Sequence, residues 1–97
     1  MSSYAISPDR TITSEYIDAK CRELMDDPYF WSAEFRAIER IFRFLYARKI
    51  PHTLKFGMET YTMVIEVTAD LTIEASHENP ATATSLALVL LAEEAGL

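Results

Sequence analysis

At Ile50-Pro51 the chain changes its hydrophobic period, and that change limits the available folds more than any other feature. Before it, over 28–49, Trp31, Phe35, Ile38, Phe42 and Leu45 recur at spacings of four and three, with Ile41 and Phe44 widening the stripe. This is the apolar face of an amphipathic helix. After it the period is two. Leu54 and Phe56 alternate with Thr53 and Lys55; Tyr61, Met63, Ile65 and Val67 with Thr62, Val64 and Glu66; Leu71, Ile73 and Ala75 with Thr72, Glu74 and Ser76. Turns are expected at Gly57-Met58-Glu59 and Thr68-Ala69-Asp70, which makes a three-stranded antiparallel meander with one apolar face.

Two further helices flank this unit. Ile17, Cys21, Leu24 and Met25 mark a first helix over roughly 14–26, capped by Thr13 or Ser14. Asp27 as N-cap with Pro28 at the first helical position starts the second, and Ser32 is the alternative cap if 29–31 form only a turn. Asn79-Pro80 opens a third helix that Gly96 ends. Its stripe is Ala83, Leu86, Ala87, Leu90 and Leu91, and Leu88 and Val89 make its middle apolar nearly all round. Such a helix is either deeply buried or carries a second partner. The order is ααβββα, an α+β class, read as one domain over 1–97 with 1–12 as an extended N-terminal arm. Two-layer and three-layer packing both fit this order.

The charge is uneven. Residues 1–50 carry eight acids and eight bases, whereas 51–97 carry seven acids and only Lys55 as a base. The acidic half argues against general binding to a phosphate backbone and favours a basic partner surface or simple solubility. Glu59, Glu66, Asp70, Glu74 and Glu78 are the candidate acidic partner-binding face. Arg36, Arg40 and Arg43 share one helix face and are the alternative, a site for a phosphate, a nucleotide or another small anion, with Glu39 placed to neutralise them. Tyr29, Phe30 and Trp31 are the candidate interface aromatics, with Trp31 expected on the buried stripe and one of the other two exposed.

Chemistry of other kinds finds little support. His52, His77 and Cys21 stand at no metal-ligand spacing, and no hydrolase, zinc-protease, phosphate-loop or dinucleotide fingerprint is present. Glu66 and Glu74 are the one carboxylate pair that could face each other across strands. No catalytic residue, metal or cofactor is therefore expected. No apolar run reaches about 18 residues, and the first ten lack the pattern of a secretory signal, so a cytoplasmic protein with no membrane association is expected.

From about Tyr61 to Ala95 the chain, YTMVIEV, LTIEAS, ENPATATSLALVLLAEEAG, resembles the C-terminal half of small bacteriophage proteins of the phage ABA sandwich type, in which a proline-started Ala/Leu helix follows two strands. That resemblance implies no enzyme activity. In size, acidity and lack of catalytic motifs the chain is also similar, as a class, to anti-CRISPR and other phage anti-defence proteins. It implies a small inhibitor acting in the bacterial host cytoplasm, whose partner is a host protein or ribonucleoprotein complex blocked through an acidic surface. Two alternatives stand beside it: an oligomer that sequesters nucleotides through the arginine stripe and stacks a base on Tyr29 and Trp31, and a structural homodimer formed through Leu88 and Val89.

Overall fold

The computed structural model describes residues 2–5 and 12–96. Its elements are β1 (Ser2–Ala5), α1 (Ser14–Met25), α2 (Phe35–Ala47), β2 (His52–Gly57), β3 (Thr60–Glu66), β4 (Leu71–His77) and α3 (Pro80–Ala95). The fold is α+β, and β2, β3 and β4 form the expected antiparallel meander. A fourth strand extends it. β1 pairs in parallel with β4, Ser2 opposite Leu71 and Ala5 opposite Glu74, which gives the sheet order β1-β4-β3-β2. The first part of the expected N-terminal arm is thus a sheet strand, while 6–11 lie outside the described residues.

The third helix is the centre of the molecule. From Pro80 to Leu91 every residue but Thr82 is buried. One side of α3 covers Met63, Ile65, Ile73 and Ala75 on the inner sheet face, and α1 and α2 pack against its other sides. The all-round apolar pattern is therefore satisfied within the chain. Leu88 and Val89 are buried and present no face to a second copy. Asn79 Oδ1 accepts from the amides of Ala81 and Thr82, Pro80 supplies the pre-set φ of the first turn, and Gly96 closes the helix at φ +70°. The buried hydroxyls of Thr84 and Ser85 donate to the carbonyls of Pro80 and Ser32.

Hydrogen bonds fix how the helices run. Tyr16 donates to Glu93 and the Cys21 thiol to the Ser85 carbonyl, so α1 lies antiparallel to α3. The Asn79 side chain donates to the Ala33 carbonyl, which sets the start of α2 beside the start of α3.

The second helix is shorter than its sequence pattern. It begins at Phe35, with Glu34 as a cap residue that makes no side-chain capping bond. Asp27 does not cap it. Asp27 Oδ1 instead accepts from the Tyr29 amide, an Asx turn, and its other oxygen pairs with Arg40. The segment 28–34 is then a series of turns strapped across α1 and α3, with Ser32 N–H donating to Asp18 and Arg22 Nε donating to the Phe30 carbonyl. Phe30 is the aromatic it buries, while Trp31 and Tyr29 are exposed. The buried face of α2 is Ala37, Ile41 and Leu45, flanked by Ile38, Phe42 and Phe44, so Trp31 and Phe35 fall outside the stripe they were expected to lead.

The β2–β3 turn has a flaw that can be repaired. Gly57 pairs with Thr60, leaving Met58 and Glu59 as the two-residue loop, and both have positive φ, 54° and 66°. That conformation favours Asn and Gly. Met58→Asn with Glu59→Gly should raise stability by about 1–2 kcal/mol, read as a higher denaturant midpoint with unchanged slope.

Candidate functional site

The sheet buries one face only. Its outer face carries Thr53, Lys55, Thr60, Thr62, Val64, Glu66, Thr72, Glu74 and Ser76, none of them buried. The candidate acids fall on or around this face, the candidate arginines lie on α2 in the helical layer, and a third surface that the sequence did not single out lies at the sheet's edge.

The five acids do not form one patch. The register puts Glu59 and Glu78 at the hairpin end of the sheet, Glu66 and Asp70 at the opposite end, and Glu74 between them. Glu66 lies opposite Thr72 and Glu74 opposite Val64, so these two carboxylates are diagonal neighbours rather than a facing pair. Thr62 and Ser76, joined by a 2.8 Å hydroxyl hydrogen bond, occupy the space between the two ends.

The arginines are also divided. Arg40 pairs with the largely buried Asp27, and Arg43 pairs with Glu39 at 2.7 Å. Arg36 and Arg40 meet Tyr29 and Trp31 around a hollow of about 230 Å³, as a base-stacking site would need, but Asp27 and Glu34 line the same hollow. Two guanidinium groups against two carboxylates leave it without net charge. Arg43 is not part of it.

The third surface is a groove between α2 and β2. β2 is an outer strand of the sheet that α2 meets where Phe42 packs on His52, and the inner-face residues of β2 are only partly covered. Phe42 packs on the His52 ring with centroids 4.8 Å apart, which fixes which side of α2 faces the strand. Phe35 and Tyr46 lie close to Phe42 on the helical wheel and so look onto the same groove. The exposures decide its character: Phe35 is 72 % exposed, Tyr46 81 % and Phe56 65 %. Phe35 and Tyr46 lie on one side of α2, and Phe56 lies on β2. Phe56 is held against Tyr61 at 4.8 Å, and Met58, almost wholly exposed, extends the apolar surface beyond the end of β2.

At its other end the groove deepens. A cleft of about 550 Å³ opens between Tyr46, Lys49, Ile50, His52 and Glu66, and a second hollow of about 340 Å³ adjoins it between Phe42, Arg43, Tyr46 and His52. Local backbone geometry builds this corner. Lys49 sits at φ +57° where α2 ends; its amide donates to the Tyr46 carbonyl and that of Ile50 to Leu45, the paired bonds of a Schellman motif. Pro51 then forces the chain out into β2. The His52 ring is held by a 2.9 Å contact from Nδ1 to the Ile50 carbonyl.

The segment that carries the groove is basic in composition on an acidic molecule. Residues 34–57 hold six bases and two acids, whereas the rest of the chain holds three bases and thirteen acids. The charge division seen between the sequence halves therefore becomes a division in space, with the cations gathered on α2 and β2.

Among the described residues, no three His, Cys, Asp or Glu side chains are grouped as metal ligands, and no helix is long and apolar enough to cross a membrane. Cys21 is buried, and burial, with the nearby Asp18 carboxylate adding to it, pushes its thiol up to about 12. The native thiol is thus a neutral donor to the Ser85 carbonyl and not a nucleophile. The unfolded thiol titrates near 9, so the unfolded chain releases this proton first and stability falls as pH rises from 9 towards 12. Cys21→Ala should flatten that part of the stability–pH curve; equal slopes for variant and parent would reject the assignment.

Comparison with protein-family models, with curated proteins and with solved structures found no match.

Proposed function

We propose that the protein is a small non-enzymatic protein-binding module that engages its partner through the α2–β2 groove. One observation carries this reading: Phe35 and Tyr46 on one side of α2 and Phe56 on the adjoining strand are all more than half exposed. Large aromatics left in water are characteristic interface anchors. The narrower form of the proposal is a phage-encoded inhibitor of a host defence complex in the bacterial cytoplasm. It rests on the resemblance of the strand–strand–helix run ending in ENPATATSLALVLLAEEAG to small phage proteins and, for the inhibitor role, on the likeness in size, acidity and lack of catalytic motifs to phage anti-defence proteins as a class. The acids Glu59, Glu66, Asp70, Glu74 and Glu78 then serve solubility, being spread from one end of the sheet to the other.

The test is affinity capture with three forms of the chain: the parent, Tyr46→Glu with Phe56→Glu, and Glu66→Lys with Glu74→Lys. The groove variant should lose the captured protein and the sheet-face variant should keep it. The reverse pattern would move the binding surface to the acidic face.

The nucleotide reading has one observation in its favour, the meeting of Tyr29, Trp31, Arg36 and Arg40 around one hollow. Its neutral charge argues against a polyanionic ligand. A panel of nucleoside mono-, di- and triphosphates should therefore leave the melting temperature unchanged. A rise with one nucleotide, abolished by Arg36→Ala, would reinstate the sequestering reading.

A further inference from the structure

We infer that the partner contributes an extended, acidic segment that adds to the open edge of β2 as a fifth strand of the sheet. The inference rests on the protein-binding reading above and specifies its mode.

The edge is free and its groups can be named. In the β2–β3 ladder the Glu66 amide donates to the Pro51 carbonyl at 2.9 Å, so 51 and 66 form a hydrogen-bonded pair. Antiparallel pairs alternate, so Thr53 with Val64, Lys55 with Thr62 and Gly57 with Thr60 are bonded pairs as well. His52, Leu54 and Phe56 therefore direct their N–H and C=O groups away from β3, and among the described residues no backbone group meets them. Those same three residues place their side chains on the inner face, where Phe42 of α2 packs on His52. A strand laid along this edge gains main-chain hydrogen bonds from β2. Its inward side chains enter the groove lined by Phe42 and Tyr46, and the volume near Tyr46 and His52 takes a large one.

Charge selects the occupant. Lys55 projects outward from the middle of β2 with no ion pair among the described residues, whereas Arg43 is already paired with Glu39 and Lys49 shares its cleft with Glu66, so Lys55 is the cation that an added strand meets. Apolar residues facing the groove and carboxylates on the alternate positions match this arrangement. A second copy of the chain fits it poorly, because pairing β2 with β2 would bring two basic edges together. Lys55 and Pro51 are also the usual guards of an open edge against indiscriminate pairing.

The test is selection from a displayed library of random linear peptides, followed by amide hydrogen exchange of the uniformly labelled full chain with the selected synthetic peptides. The expected result is enrichment of peptides alternating apolar and acidic residues. They should slow exchange at the Leu54 and Phe56 amides and leave those of Thr53 and Lys55, already paired to β3, little changed. Alternate N-methylation of the peptide should abolish binding, and Lys55→Glu should weaken it about tenfold.

Enriched sequences with helical spacing, or binding without protection at Leu54 and Phe56, would overturn the strand mode while leaving the groove as the binding surface. An empty selection would also overturn it. Protection of the two amides in the free chain together with a doubled native mass would assign the edge to a second copy instead. Failure of the protein-binding reading itself is scored separately, by the capture experiment on the Tyr46 and Phe56 variant.

Discussion

Leu88→Ala lowers the unfolding free energy by about 2–5 kcal/mol. That is a large share of the roughly 5–15 kcal/mol that holds a domain of this kind together. The side chain is about 1 % exposed, and the helix that carries it is enclosed by the sheet on one side and by α1 and α2 on the others. None of these neighbours can collapse into the space without leaving another contact, so the loss combines transfer of the removed groups with a residual cavity. Urea denaturation should show a lower midpoint with an unchanged slope, and native mass should be the same as for the parent. A loss below about 1 kcal/mol accompanied by a change in mass would mean that Leu88 packs against a second copy rather than within the chain.

Tyr46→Ala and Phe56→Ala each weaken the captured partner by about 30-fold or more, the size expected for an aromatic anchor. Both side chains are mostly exposed in the free chain, so the melting temperature should move little. Calorimetric titration of each variant against the partner, beside a thermal melt, separates the two effects. Loss of affinity together with a large fall in melting temperature would show the residues to be structural.

Much of the fold was legible because its determinants are local. The three meander strands follow from strict alternation, with ends within one residue of those observed. Asn79-Pro80 and Gly96 mark both ends of α3 with residues that the cap geometry requires. The segment 28–34 was misread for a physical reason. Asp27-Pro28 has the form of a helix start, but the Asp27 carboxylate has competing uses, the Tyr29 amide and Arg40, that only the folded chain supplies. Trp31 and Phe35 then continued the helical spacing by coincidence, while Phe30 was the residue buried. β1 was missed because Ser2–Ala5 is too short to show a period and its partner, β4, is distant in sequence.

The site was the least legible part. Whether Phe35, Phe42 and Tyr46 are core or surface depends on what stands across from them, and that depends on β2 being an edge strand. A signal was nevertheless present. Phe35, Phe42, Phe44 and Tyr46 are more aromatics than one buried stripe of a short helix can hold, and Tyr46 lies on the far side from Ala37 and Ile41. The acids suggested a common face because they are close in sequence. The strand register separates them towards opposite ends of the sheet.

The measurement that bears most directly on the central claim is amide hydrogen exchange of the full chain with and without its captured partner. The groove account predicts that protection on binding concentrates in His52–Gly57 and extends to Lys49 and Ile50 at the cleft. Protection confined to the β3–β4 turn and to the segment around Glu74 and Glu78, with β2 unchanged, would contradict it and place the partner on the acidic side of the sheet.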